Sequence, residues 1–164
     1  MPTSAEAFLE QAKSDMFAYE SLEATGLPSC HRLHYLQMWL EKLCKAYLWL
    51  PDETKVELRS RHQVVATVLP RLVTERWRKL AAFARKPNID SLRRICSEID
   101  RLHPQIDDGG RRPDNVEYPW RDDGKIIVPC NFKFAVVRQI YGSPGRELLK
   151  ASSKLTRDPT LLQP

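Results

Sequence analysis

The side chains best suited to metal or acid–base chemistry in this 164-residue chain are its four histidines and four cysteines. Cys30, His31 and His34 stand close together, and the two imidazoles have a spacing that could bring both to one face of a helix. A closed zinc site needs a fourth ligand, and no second ligand pair with a recognised spacing occurs in the sequence. We therefore interpret the cluster as a helix start that packs and caps, and we predict no metal site and no cofactor.

Sequence motifs of several large enzyme classes are also absent. The chain has no Walker loop, no GxGxxG, no GxSxG and no HExxH pattern. Its cysteines are scattered in a way that matches neither a disulfide framework nor a CxxC pair, so we expect reduced thiols. There is no apolar run of about 18 residues and no basic start followed by an apolar core. These features predict a cytoplasmic protein that does not associate with a membrane.

Charge is distributed unevenly along the chain, whose net charge is +5. Residues 1–54 hold four Lys/Arg against eight Asp/Glu, whereas residues 55–112 hold fourteen against seven. A basic middle third is compatible with a phosphate-rich partner, such as RNA or a nucleotide, or with an acidic partner protein. The alternative is that the arginines only form a solvated helix surface. Charge alone does not distinguish this from a binding surface.

One stretch of the chain supplies the frame that must position these groups. Residues 34–48 contain neither Gly nor Pro. Large apolar side chains recur through and around the stretch at three- and four-residue steps: Leu33, Leu36, Leu40, Leu43, Tyr47 and Leu50. This pattern predicts a long helix with a broad apolar face. Gln37, Glu41 and Lys45 follow one another at four-residue steps and predict a polar stripe beside that face.

The region before this helix predicts its partner. Thr3 and Glu6 have the form of a capping box, which indicates a first helix that runs to a left-handed end at Gly26. Ser29 can cap the central helix, which must end before Pro51. Two long helices joined by so short a turn form an antiparallel hairpin.

The region after Pro51 predicts further helices. Residues 53–73 have the pattern of a third helix, whose end we expect Pro70 to kink or break, and Thr74 can cap a short fourth helix. Residues 89–102 form another amphipathic pattern. Two last short helices are predicted over residues 132–140 and 145–155.

The segment from residue 104 to 130 differs in composition. It is rich in Gly, Pro and charged residues and has no helical periodicity of apolar residues. So long a connection inside a domain is typical of a functional loop or of one held by its aromatic side chains. Its end, around Asp123-Gly124, predicts a short β-hairpin. The serine-rich end, residues 152–164, is predicted to be a flexible tail.

The helix pair also resembles a known family. Ala12-x-x-Asp15 lies in the first helix, and the second carries Gln37-x-x-x-Glu41-Lys42-x-x-Lys45-Ala46 after His34-Tyr35. This combination is similar to the N-terminal helix pair of HEPN domains, over roughly residues 5–73. The resemblance implies an all-helical bundle, frequent homodimerisation, and association with prokaryotic toxin–antitoxin or phage-defence systems.

The same resemblance allows a test for catalysis, because active HEPN ribonucleases carry an Arg followed a few residues later by a His. They use this pair, from two subunits, on the RNA backbone without a metal. No His of this chain has an Arg at that spacing. Lys55 with His62 has the spacing but lacks the planar guanidinium, Arg59 is too close to His62, and Arg94 is too far from His103. These five residues are the candidate catalytic residues of a degenerate signature.

Candidate binding residues come from the long loop. Arg111 and Arg112 stand in a Gly-containing segment, from which arginines can reach a phosphate or an acidic partner without disturbing a core. Tyr118, Trp120 and the neighbouring Arg121 combine aromatic faces with a cation, as platforms for single-stranded nucleic acid do.

Taken together, the sequence predicts an all-α, HEPN-like single domain over residues 1–151, with six or seven helices built on the long antiparallel pair. The first functional hypothesis is a non-catalytic or degenerate HEPN-like protein that binds a partner protein, nucleotide or RNA in a bacterial defence or toxin–antitoxin-type system. One alternative is a metal-independent endoribonuclease that uses His62 or His103. A further alternative is a structural scaffold with no nucleic-acid role.

Overall fold

The helix pair predicted at the start of the chain is the frame on which the other elements pack. The structure is a computed structural model that describes residues 2–50, 58–106 and 112–163. Within these residues the helices are α1 (Ser4–Ser21), α2 (Ser29–Leu48), α3 (Val65–Leu80), α4 (Ile89–Asp100), α5 (Val136–Tyr141) and α6 (Ser143–Arg157). The strands β1 (Trp120–Asp122) and β2 (Lys125–Ile127) form a small antiparallel sheet between α4 and α5. The mainly helical class is confirmed.

The first helix has the start that its sequence predicts, but it ends at Ser21, before the predicted end at Gly26. Thr3 Oγ1 accepts a hydrogen bond from the backbone N–H of Glu6 at 3.3 Å, and the Glu6 carboxylate accepts one from the backbone N–H of Thr3 at 2.7 Å. This reciprocal arrangement is the predicted capping box. A short 3₁₀ turn follows α1, and Gly26 adopts a φ of +49°, which a glycine tolerates without strain.

The central helix α2 buries the predicted apolar face. Leu36, Leu40 and Leu43 are completely buried, and Trp39 packs its ring near that of Tyr19 on α1, with centroids 5.7 Å apart. Ser29 is the first residue of the helix, and no side chain caps it, which differs from the predicted Ser29 cap.

The third helix differs from its prediction in two ways. Residues 58–64 are not α-helical, and α3 continues from Val65 to Leu80 through Pro70, so no separate helix begins at Thr74. Asp100 fixes the start, because its carboxylate accepts the backbone N–H groups of Val65 at 3.2 Å and Ala66 at 2.8 Å. Pro70 removes one bond inside the helix, but the burial of neighbouring apolar side chains keeps the helix continuous.

The hairpin of the long loop is present where it was predicted. Trp120 faces Ile127 and Asp122 faces Lys125 across the two strands. Asp123 and Gly124 both have positive φ, 45° and 74°, which is the geometry of the tight turns that match strand twist. The hairpin therefore adds a small β element to a helical fold.

The end of the chain is packed against the bundle, which corrects the predicted flexible tail over residues 152–164. Helix α6 extends to Arg157, and a 3₁₀ turn, Pro159–Leu162, follows it. Ser152 and Thr156 are buried without losing their hydrogen bonds, because each hydroxyl donates to a backbone carbonyl one turn earlier. Arg76 of α3 then holds the final turn through the carbonyl of Leu161, at 2.6 Å.

The helices share one hydrophobic cluster, to which side chains from α1, α2, α3, α4, α5 and α6 all contribute. Among the helices in the described ranges, none is both long enough and apolar enough to span a bilayer.

Candidate functional site

The polar stripe predicted on α2 exists and is partly buried. Glu41 lies at its centre with a 6% exposed surface, beside the apolar face of the helix. One carboxylate oxygen accepts a hydrogen bond from Gln37 Nε2 at 2.7 Å, and the other lies 2.7 Å from Lys45 Nζ. The three residues thus form one connected polar group along the helix.

The charge state of Glu41 follows from two opposing effects. Burial, the largest single effect, raises the pKa of the Glu41 carboxyl, but the hydrogen bonds from Lys45 and Gln37 and the charges of Lys45 and His62 together bring the net pKa below its usual value. Glu41 is therefore ionised at neutral pH, and a buried negative charge is available to orient a neighbouring cationic or polar group.

His62 is the neighbour that Glu41 faces. It lies in the loop of residues 58–64, where its Nδ1 is enclosed and 3.4 Å from Glu41 Oε1, while 43% of its side chain remains exposed. A buried Nδ1 beside a carboxylate favours the tautomer that carries its proton there. The Nε2 atom of His62 then keeps its lone pair and is able to accept a proton.

His103 lies against His62. The two rings are stacked with their centroids 4.5 Å apart and their planes at 23°. The Nδ1 atom of His103 accepts a hydrogen bond from the backbone N–H of Gln105 at 3.2 Å, so a neutral ring carries its proton on Nε2. Burial, followed by the neighbouring His62, lowers the pKa of His103, which keeps the ring neutral.

The same three side chains have the composition of a metal site, so we tested their fit to one. One ligand atom from each of Glu41, His62 and His103 lies within 4.8 Å of the others, and two histidines with one carboxylate can hold iron or zinc. Two features oppose this role. The Lys45 ammonium occupies the carboxylate, and His103 Nδ1 accepts a backbone hydrogen bond, whereas a metal-bound histidine usually donates through its second nitrogen. The donor set therefore fits acid–base chemistry better than metal binding.

A second polar contact lies two turns before Glu41 on α2. His34 Nδ1 is 3.4 Å from a carboxylate oxygen of Glu117, which belongs to the long loop. The Asn115 side chain fixes this part of the loop, because it accepts the backbone N–H groups of Glu117 at 2.9 Å and Tyr118 at 2.7 Å. The backbone N–H of Val116 donates to the carbonyl of Leu102 at 3.2 Å, so this part of the loop contacts the residue that precedes His103.

Of the five candidate catalytic residues, the structure brings two together, His62 and His103. Arg59 instead donates from Nε to the carbonyl of Leu48 at 3.0 Å and lies over the Trp49 ring. Arg94 lies on the exposed side of α4, where its Nη2 donates to the Ser91 hydroxyl at 3.4 Å. Lys55 lies outside the described residues.

The candidate binding residues are not equivalent. Arg112 is engaged in a two-pronged contact with Glu98, at 3.0 and 3.1 Å, and in a third contact with Asp114. The hydrogen bonds to Glu98 raise the pKa of Arg112 above its usual value. Trp120 is 8% exposed and packs edge-to-face on Phe132, so its ring belongs to the core. Tyr118 and Arg121 are exposed, and their binding role stays a prediction, while Arg111 lies outside the described residues.

The three residues of the N-terminal Cys–His cluster, Cys30, His31 and His34, lie in different surroundings. Cys30 is buried, His31 is exposed, and His34 faces Glu117. Cys44 and Cys96 are buried as well, and burial raises the pKa of both thiols well above its usual value. They pack as small apolar side chains, whereas Cys130 is exposed.

Sequence reasoning missed Glu41 and Lys45 as members of the site. The polar stripe could have indicated them. Three polar residues at four-residue steps beside the apolar face of a central helix become partly buried, and buried polar side chains need hydrogen-bonding partners. Comparisons with family models, curated proteins and solved structures return no match to this chain. The relation to HEPN domains therefore rests on the sequence motif alone.

Proposed function

We propose that this chain is a HEPN-like endoribonuclease that cleaves RNA without a metal. The observation that carries the proposal is the stacked pair of His62 and His103 above the buried pair of Glu41 and Lys45. The sequence alone favoured a non-catalytic binding protein, with this activity as the alternative. The proximity of the two histidines, which the sequence did not predict, reverses that order.

His62 is the general base of the proposed reaction. Its Nε2 lone pair takes the proton of a ribose 2′-hydroxyl, while the Glu41 charge near Nδ1 stabilises the imidazolium that forms. The activated 2′-oxygen attacks the adjacent phosphorus and displaces the 5′-oxygen of the next nucleotide, which takes a proton from water. The hydroxide that this leaves takes the proton from the His62 imidazolium, which restores the base. The products are a 2′,3′-cyclic phosphate and a 5′-hydroxyl.

His103 and Lys45 have supporting roles in this proposal. A neutral His103 donates a hydrogen bond from Nε2 to a phosphoryl oxygen, where negative charge develops in the transition state. Lys45 holds Glu41 in its ionised form and in position, and it remains largely buried. The ribonuclease signature of a planar cation followed by a histidine is thus replaced by a histidine pair.

RNA is the substrate that this chemistry favours. Cleavage without a metal is feasible when the nucleophile belongs to the substrate, and only RNA offers a 2′-hydroxyl next to the phosphate. The basic middle third of the sequence, which includes the exposed Arg61 beside His62, suits a polyanionic strand. By the HEPN resemblance, we further propose a homodimer that belongs to a bacterial defence or toxin–antitoxin-type system.

The experiment is a cleavage assay in EDTA with a panel of structured and single-stranded RNAs. We expect cleavage that leaves 2′,3′-cyclic phosphate ends, no cleavage of DNA of the same sequences, and a rate at least about 100-fold lower for His62→Ala. His31→Ala is the matched control, because His31 is exposed at the start of α2 and takes no part in the cluster.

Two outcomes would reject a metal-independent ribonuclease. One is RNA that stays intact, with or without divalent metal, while the protein still binds it; this result would support the non-catalytic binding protein that the sequence favoured. The other is cleavage that EDTA abolishes, which would assign the Glu41, His62 and His103 cluster to a metal.

A further inference from the structure

A cavity of about 280 Å³ opens beside the histidine pair and shares both of its loops. Arg61 and Gln63, the two neighbours of His62, line it from one side. Asp100 and Arg101, which precede His103, line it from the other. The cavity is therefore lined by chain neighbours of His62 and by residues that lie two and three positions before His103.

The lining of the cavity combines an apolar wall with polar side chains. Ala66 and Ile106 give it an apolar wall. Its other lining side chains are polar and provide both donors and acceptors, namely Arg61, Gln63, Thr67, Ser97, Asp100 and Arg101. Convergent hydrogen-bonding groups around an apolar wall are typical of sites for small heteroaromatic ligands.

Arg61 and Arg101 would favour an anion in this cavity, but the carboxyl of Asp100 opposes a phosphate on its side. It already accepts the first N–H groups of α3, so the positive end of that helix is neutralised. Burial raises the pKa of Asp100 to about 7, so that near neutral pH the carboxyl either accepts from an N–H group or donates to a ring nitrogen or carbonyl. A nucleobase edge offers groups of these kinds, whereas a phosphate offers only negative oxygens.

We propose that this cavity binds one nucleobase of the RNA strand beside the cleaved phosphate, and that Thr67, Ser97 and Asp100 read its edge. The proposal rests on the proposed ribonuclease function and deepens it, because it gives that activity a base preference. A free nucleotide carries the same base and phosphate, so the experiment must separate the two sources.

The test measures binding by titration calorimetry to the His62→Gln protein, which binds without cleaving. The probes are the four nucleoside 3′-monophosphates, ribose 5-phosphate as a ligand without a base, and short RNAs with 2′-O-methyl groups. We expect one nucleotide to bind more tightly than the others and than ribose 5-phosphate, and the methylated RNA containing it to bind more tightly still. Thr67→Val and Ser97→Ala should each weaken nucleotide binding roughly fivefold, the value of one hydrogen bond.

Ser60→Ala is the matched control, since Ser60 lies on the His62 loop but outside the cavity lining. Equal binding of nucleotides and ribose 5-phosphate, or equal losses in Ser60→Ala and Thr67→Val, would overturn the proposal. A free nucleotide that binds more tightly than the methylated RNA would assign the cavity to a small molecule instead. Base binding without any RNA cleavage would reject the ribonuclease alone, and cleavage without base preference would reject the cavity proposal alone.

Discussion

The indole Nε1 of Trp39 on α2 donates a 2.8 Å hydrogen bond to the Thr156 hydroxyl on α6, and both side chains are buried. The same hydroxyl donates to the Ser152 carbonyl at 2.8 Å, so it is both donor and acceptor in an apolar setting. This bond ties the last long helix to the central one. It also satisfies an indole N–H that would otherwise be buried without a partner.

Replacement of Thr156 by valine should lower the free energy of unfolding by about 1–3 kcal/mol, because the Trp39 N–H loses its acceptor while its burial remains. Thr156→Ser keeps the hydroxyl and should be closer to the wild type. Urea denaturation measures both. Ser153→Ala on the same helix serves as the control, and a Thr156→Val protein as stable as this control would contradict the role of the bond.

Substitution by glutamine should affect His62 and His103 differently. His62→Gln removes a base that glutamine cannot replace, so cleavage should fall about 100-fold or more, as it does when a general base is lost. His103→Gln keeps an N–H donor without titrating, so it should retain more activity than His103→Ala. Single-turnover rates on one RNA decide the matter, and equal losses for His103→Gln and His103→Ala would show that His103 is not a neutral donor.

Lys45→Met should cost about 3–5 kcal/mol of unfolding free energy, because it leaves the Glu41 charge buried without its cation. The double change Glu41→Gln, Lys45→Met should cost less than Lys45→Met alone, since it removes both charges. Lys79→Met on exposed α3 surface is the control for loss of a lysine. Measuring the Glu41→Gln variant as well completes a double-mutant cycle. If the losses of unfolding free energy in the two single variants add up to the loss in the double variant, the two charges are not coupled.

The raised pKa of Asp100, about 7 in the folded protein, predicts a pH-dependent stability. An unfolded aspartic acid titrates near about 3.9, so the folded state holds an extra proton between these values. The free energy of unfolding should then fall as the pH rises from about 4 to about 7, by roughly 1.4 kcal/mol for each unit of difference, and should level off above. Denaturation of the wild type and Asp100→Asn across this range isolates the effect, and parallel pH profiles would refute it.

RNA binding should depend on Arg61 and not on Arg112. Arg61 is exposed beside His62, whereas Arg112 is held by Glu98 and Asp114. In plots of log affinity against log salt, Arg61→Ala should make the slope shallower by about one, as loss of a phosphate contact does. Arg112→Ala should leave the slope unchanged. The opposite result would restore Arg112 as a phosphate ligand.

Local patterns predicted the elements that depend on local physics. The capping box of α1, the apolar face and polar stripe of α2, and the Asp123-Gly124 turn all follow from neighbouring residues. The break expected at Pro70 did not occur, because the burial of distant side chains outweighs a local preference.

The histidine pair lay beyond sequence reasoning for a related reason. His62 and His103 belong to separate loops, and their proximity depends on how α3 and α4 pack. The partners of Arg112 and Trp120 likewise depend on tertiary contacts that no spacing in the sequence encodes.

Asp100 joins the two loops that carry the histidines. Its side chain accepts the first N–H groups of α3, directly after the His62 loop, and its backbone carbonyl accepts the N–H of His103 at 3.2 Å. One residue thus sets the positions of both imidazoles relative to each other. The entropy needed to align them is lost when the chain folds and not when a substrate binds, so the pair is preorganised for a reaction whose rate depends on alignment.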